Sequence, residues 1–102
     1  MSDSELVQQA VEEVQNGLAV LFDVRTEDEW VAEHAVGAQH FDVGRLMEGE
    51  LPSTPRDIRT YTYCASGGRA FEAAEILRSN GWTTVDSLGG LSDWVEAGGE
   101  KE

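Results

Sequence analysis

The chain carries a single cysteine, Cys64, so no internal disulfide can brace it. That is expected of a protein kept in a reducing compartment such as the cytoplasm. Cations are also scarce. Lys101 is the sole lysine, and with the arginines it makes seven basic residues against twenty acidic ones, a net charge of −13. So few cations exclude direct nucleic-acid binding, which needs clustered Lys and Arg to neutralise phosphates. No apolar run exceeds residues 18–22, far short of the ~20 residues of a membrane-spanning helix. The start, Met1-Ser2-Asp3-Ser4-Glu5, is acidic and lacks the apolar stretch of a secretory signal. No His/Cys cluster has metal-ligand spacing, so neither a metal nor another cofactor is expected.

What is present is a globular composition. With 102 residues, 40% of them hydrophobic and 26% charged, residues 1–102 read as one domain with one modest core. Residues 98–102 read as a charged tail. The acidity has two readings: an ordinary solubilising surface, or adaptation to high salt, where a Debye length of ~3 Å at 1 M screens self-repulsion.

Leu6, Val7, Ala10, Val11 and Val14 recur at helical steps across residues 4–15, and Asn16-Gly17 supplies a stop. Residues 18–22 form a continuous apolar run, as expected of a strand covered on both faces. The run leads into Asp23-Val24-Arg25, at the end of a strand where open α/β sheets place ligands. Asp23 and Arg25 are expected to pair with each other, or Arg25 with Glu29. Thr26 to Glu29 has capping-box spacing and opens a short helix whose core contacts would be Trp30 and Val31. Residues 39–43 are expected to be briefly extended. Pro52, Ser53, Thr54 and Pro55 mark a loop, after at most one helical turn.

Residues 59–63 are rich in β formers, and residues 70–79 place Ala70, Ala73, Ala74 and Leu77 on one helical face, with Phe71 near it. Residues 82–85 predict a last strand and residues 90–97 a closing helix. His34 and His40 are read as structural, and Trp30, Trp82 and Trp94 as core. Strands alternating with helices imply a parallel sheet with helices on both faces.

Between the strand at 59–63 and the helix at 70–79 lies Cys64-Ala65-Ser66-Gly67-Gly68-Arg69. A ring of backbone N–H groups at a helix N-terminus favours negative charge. A cysteine sulfur at its centre is therefore expected to ionise more easily than a free thiol. The loop reads as a device for making a thiolate and holding an anion beside it. Gly67 and Gly68 let the backbone curl, and Arg69 offers donors to an anion's oxygens.

Asp23-Val24-Arg25, then His34-Ala35-Val36-Gly37-Ala38, then the Cys64 loop, then Leu88-Gly89-Gly90-Leu91 with Trp94 stand in the order and spacing of the rhodaneses. The chain resembles a single-domain rhodanese over nearly its whole length. The resemblance implies a three-layer α/β fold, with a parallel sheet of four or five strands and helices on both faces. It also implies sulfane-sulfur transfer through a persulfide on Cys64, with Ala65, Ser66, Gly67, Gly68 and Arg69 binding substrate. The donor would be a small sulfur anion such as thiosulfate or a persulfide, and the acceptor a thiol or cyanide. Two departures stand out: Ala65 takes the place of a cation that many relatives carry, and Met1, Ser2 and Asp3 barely leave room for the family's short first strand.

The alternative is a persulfide carrier serving a partner sulfur-relay protein, with little activity on free thiosulfate. A phosphatase ranks below both. In the related phosphatases and arsenate reductases the arginine lies six positions after the cysteine, whereas Arg69 lies five after Cys64. An idle interaction module is disfavoured by the intact cysteine and arginine.

Overall fold

The computed structural model describes residues 3–102; Met1 and Ser2, which with Asp3 barely leave room for the family's short first strand, lie outside them. Helix α1 (Asp3–Gln15) is followed by β1 (Ala19–Asp23), α2 (Glu27–Ala32), β2 (Gln39–His40) and α3 (Val43–Met47). Strand β3 (Arg59–Cys64), α4 (Gly68–Ser79), β4 (Val85–Gly90) and α5 (Leu91–Glu96) complete the order. The four strands are parallel, in the order β2-β1-β3-β4. This is the parallel sheet with helices on both faces that the alternation of strands and helices implies.

Side-chain alternation along the strands divides the core in two. On one face Phe22, Val24 and Cys64 pack with Val43 and Leu46 of α3, with Ala70, Ala73, Ala74 and Leu77 of α4, and with Trp82. On the other, Leu21, Tyr61 and Tyr63 meet Val7, Ala10 and Val11 of α1 and Leu91 and Trp94 of α5. The alanines of α4 are the buried stripe that the helical spacing predicts. The chain steps to β2 on one side of β1, then crosses to β3 on the other. The carboxyl ends of β1 and β3 therefore flank the point where the connections diverge, the usual ligand crevice of an open parallel sheet. Asp23 and Cys64 stand at those two ends.

Several local expectations need correction. The last strand starts at Val85, not at residue 82. Trp82 is instead a buried loop residue that plugs the α4 face of the core. Val31 is 73% exposed and α2 buries no residue, so neither Trp30 nor Val31 makes the expected fully buried core contact. Trp30 is half-buried and stacks on both His34 and His40. Phe71, placed near the buried face of α4, is exposed. The extended piece at residues 39–43 is confined to β2, because Asp42 caps α3 by accepting from Gly44 N–H at 2.8 Å.

Residues 98–102, read as a charged tail, are tied back to the domain through their backbone. Lys101 bridges antiparallel to Ala35, His34 and Glu102 exchange backbone hydrogen bonds of 3.0 and 2.8 Å, and Trp94 Nε1 donates to the Glu100 carbonyl at 3.0 Å. Charge alone misleads here, because the backbone of an acidic segment pairs as readily as any other.

Candidate active site

Strand β3 puts Cys64 at the foot of the next helix. Its Sγ accepts hydrogen bonds from Gly67 N–H at 3.0 Å and from Ala70 N–H at 3.4 Å. Ala65, Ser66, Gly67, Gly68 and Arg69 loop around that sulfur, and Cys64 is fully buried. Gly67 lies at φ +102°, in the left-handed region where a side chain is strained, and this turn aims its N–H inward. The amides of Ala65, Ser66, Gly68 and Arg69 make no hydrogen bond to the sulfur. Ala70, which lies beyond the expected binding residues, does. Thr62, on the same face of β3, donates its hydroxyl to the Ala70 carbonyl at 2.8 Å. This explains a polar residue in a buried strand: it moors the start of α4 to the sheet.

The Gly89-Gly90 pair works on the cradle from beneath. Cys64 pairs with Gly90 across a register shift between β3 and β4. A Cβ on Gly90 would lie 2.0 Å from the Ala65 carbonyl oxygen, closer than any contact permits. Gly90→Ala is therefore expected to displace the cradle backbone and to cost about 1–3 kcal/mol of stability as overpacking, measured by urea unfolding. An unchanged midpoint would show that the two segments separate freely.

Arg69 closes the loop, but its guanidinium is already held. Nη1 and Nη2 donate to Glu29 Oε1 and Oε2 at 2.7 and 3.1 Å. Glu29 is itself fixed by the capping box, accepting from Thr26 N–H at 3.2 Å and from Thr26 Oγ1 at 3.1 Å. Arg69 is the first cause, Thr26 a lesser one, of a Glu29 carboxyl pKa lowered from 4.5 to about 2. A lowered folded-state pKa stabilises the fold fully above about pH 4.5, and that contribution is lost as pH falls toward 2. Glu29→Gln is expected to remove this part of the acid-induced fall in melting temperature; equal slopes in both proteins would refute it.

At the end of β1, Asp23 and Arg25 pair with each other, resolving the two partners left open for Arg25. Arg25 Nη2 lies 2.6 Å from Asp23 Oδ2, Nε donates to both carboxylate oxygens, and Nη2 also reaches the Glu33 carbonyl at 2.7 Å. Tyr63 donates its hydroxyl to Asp23 and accepts Ala35 N–H at 3.0 Å. The hydrogen bonds that Arg25 donates to Asp23 raise the Arg25 pKa, and burial raises that of Tyr63. The whole network is buried and fully engaged, a brace between β1, β3 and the segment after α2. The histidines lie outside the cradle: His34 bonds the Trp30 carbonyl at 2.8 Å and His40 the Arg25 carbonyl at 2.8 Å.

Of the expected loop residues, the structure brings the Gly67 N–H to the Cys64 sulfur and ties Arg69 to Glu29; sequence reasoning did not place Ala70 against the sulfur or Glu29 against Arg69. Glu29 was legible only as half of a capping box. Among the described residues no group of three or more His, Cys, Asp or Glu is placed to hold a metal ion, and no helix is long and apolar enough to cross a membrane.

Residues 6–97 match the family model for the rhodanese-like domain. An uncharacterized protein of Synechocystis is 36% identical over 85 residues, covering 82% of this chain and 47% of the relative. The chain thus spans about half the length of that protein. The thiosulfate sulfurtransferase PspE of Escherichia coli is 32% identical over 72 residues, 70% of this chain and 69% of PspE. Among solved structures, the Alr3790 protein of Anabaena superposes with a TM-score of 0.81 at 25% identity, covering 93% of this chain and 77% of that one.

Proposed function

The chain belongs to the rhodanese-like domain family, and from that premise we propose that it moves sulfane sulfur from thiosulfate or a persulfide donor through a persulfide on Cys64. The observation that carries the reading is the cradle, in which two backbone N–H groups already hold the sulfur. Cys64 thiolate attacks the outer sulfur of thiosulfate, the S–S bond breaks, and sulfite leaves with the bonding pair. The outer sulfur stays on Cys64 as a persulfide, and a thiol or cyanide then removes it. One difficult transfer becomes two easier ones. The amides of Ala65, Ser66, Gly68 and Arg69, free of the thiol sulfur, are the groups to receive the terminal sulfur's charge. The three N–H groups of Arg69 that its bonds to Glu29 do not use are the side-chain groups to bind the donor's oxygens. Since Cys64 is buried, the loop of small residues has to part to admit the donor. The reading takes the 102 residues as one such domain at work in a reducing cytoplasm.

Two observations favour the carrier as a second reading: Ala65 adds no cation to the loop, and Glu29 neutralises the one that is there. Intact mass after incubation with thiosulfate tests the main proposal. A gain of one sulfur, ~32 Da, reversed by cyanide, supports it. A gain only after a cysteine desulfurase supports the carrier, and no gain from either overturns both.

The protein's charge of −13 repels a dianion at long range, and salt screens that repulsion. Thiosulfate turnover is expected to rise from low to moderate salt while the circular dichroism stays constant. A flat or falling rate would count against this electrostatic account.

A further inference from the structure

Resting on the sulfur-transfer reading, we propose that Glu29 sets the donor charge that the site accepts, turning the cradle against dianionic donors and toward singly charged ones. Arg69 is the only cation among residues 64–69, which ring the sulfur, and Glu29 cancels its charge through a two-pronged ion pair. Nothing else in the loop restores it, since Ala65, Ser66, Gly67 and Gly68 are uncharged. Arg25, at the carboxyl end of β1, is consumed by Asp23. What remains for a donor is a set of backbone dipoles and the spare N–H groups of Arg69, with a fixed carboxylate beside them. Such a site stabilises the single negative charge of a terminal sulfur. A second charge on the same donor meets a neutralised cation and a fixed carboxylate.

Glu29 is held for this role independently of Arg69, since both the Thr26 backbone and hydroxyl bond Oε1. The carboxylate cannot swing away without undoing the cap of α2. Glu29 is therefore a positioning and selectivity residue. It fixes where the guanidinium sits and subtracts its charge.

The test compares thiosulfate, a dianion, with methanethiosulfonate, a near-isostere in which a methyl group replaces one charged oxygen. In each, Cys64 thiolate takes the outer sulfur; sulfite leaves from the first and methanesulfinate from the second. The ratio of their kcat/KM values cancels effects common to both donors. Glu29→Gln removes the charge while keeping a capping-box side chain. It is expected to shift the ratio toward thiosulfate by about five- to tenfold, mainly through the thiosulfate KM. Glu50→Gln, at the exposed pair with Arg45, removes the same charge elsewhere and is expected to leave the ratio unchanged. An unmoved ratio in Glu29→Gln, or an equal shift in Glu50→Gln, overturns the proposal. If neither donor adds a sulfur to Cys64 in the parent protein, the transfer reading itself fails and this inference falls with it.

Discussion

Cys64→Ser is expected to fold normally and to lose sulfur transfer by more than ~1000-fold, with no sulfur adduct by intact mass. The two halves of this expectation have separate causes. The fold survives because serine is close to isosteric and finds its partners waiting: the N–H groups of Gly67 and Ala70 that point at Sγ also suit a hydroxyl oxygen. The site is fully buried, so a side chain without an acceptor would strand both donors, and Cys64→Ala is the less clean variant for that reason. Activity is lost because a hydroxyl stays protonated at neutral pH and its oxygen cannot carry a sulfane sulfur. A melting temperature close to the parent's with no adduct is the expected pair of results. Residual transfer near the parental rate would show that the sulfur travels by a route that avoids Cys64.

The parts of this molecule that were legible in the sequence share a physical property: their signal is local and periodic. The alanine stripe of α4 repeats at the helical period, and the apolar run into β1 marks the strand, buried at Leu21 and Phe22 though Leu18 lies outside it and is exposed. The capping box of α2 is a four-residue motif whose partners are neighbours in the chain. The Cys64 loop is also local, since its shape follows from small residues between a strand and a helix. The errors fall where a residue's fate is decided by something distant. Trp82 has the composition of a strand residue, yet α4 and β4 capture it as a loop plug. Residues 98–102 read only as a charged tail, and nothing local announces that Ala35 and His34 offer them a backbone edge to pair with. Glu29 satisfies its local role completely, so nothing near it in the chain announces the second bond to Arg69, forty residues on.

Gly90 makes the same point for the site. Its requirement comes from the Ala65 carbonyl across the β3–β4 register shift. Only the match to a family's motif order brought Gly89 and Gly90 into view, and the motif gave no physical reason for them. The geometry supplies one: the backbone of β4 has to pass directly under the cradle.

Asp23→Ala is expected to destabilise the protein by about 3–5 kcal/mol. Asp23 is 0% exposed and Arg25 only 6%. Removing the carboxylate leaves a buried guanidinium with one remaining acceptor, the Glu33 carbonyl, and leaves the Tyr63 hydroxyl without its acceptor. Breaking one side of a buried pair is far costlier than never having had the pair, because the stranded charge has already lost its water. Asp23→Asn keeps an oxygen for Tyr63 but not the charge for Arg25, so it is expected to fall between the parent and the alanine variant. Against a total stability of roughly 5–15 kcal/mol for a domain of this kind, the alanine change threatens the folded state at ordinary temperature. Urea unfolding of the three proteins checks the order. A loss below about 1 kcal/mol in Asp23→Ala would mean that water reaches Arg25, and that the end of β1 is an open crevice rather than a sealed brace between β1 and β3.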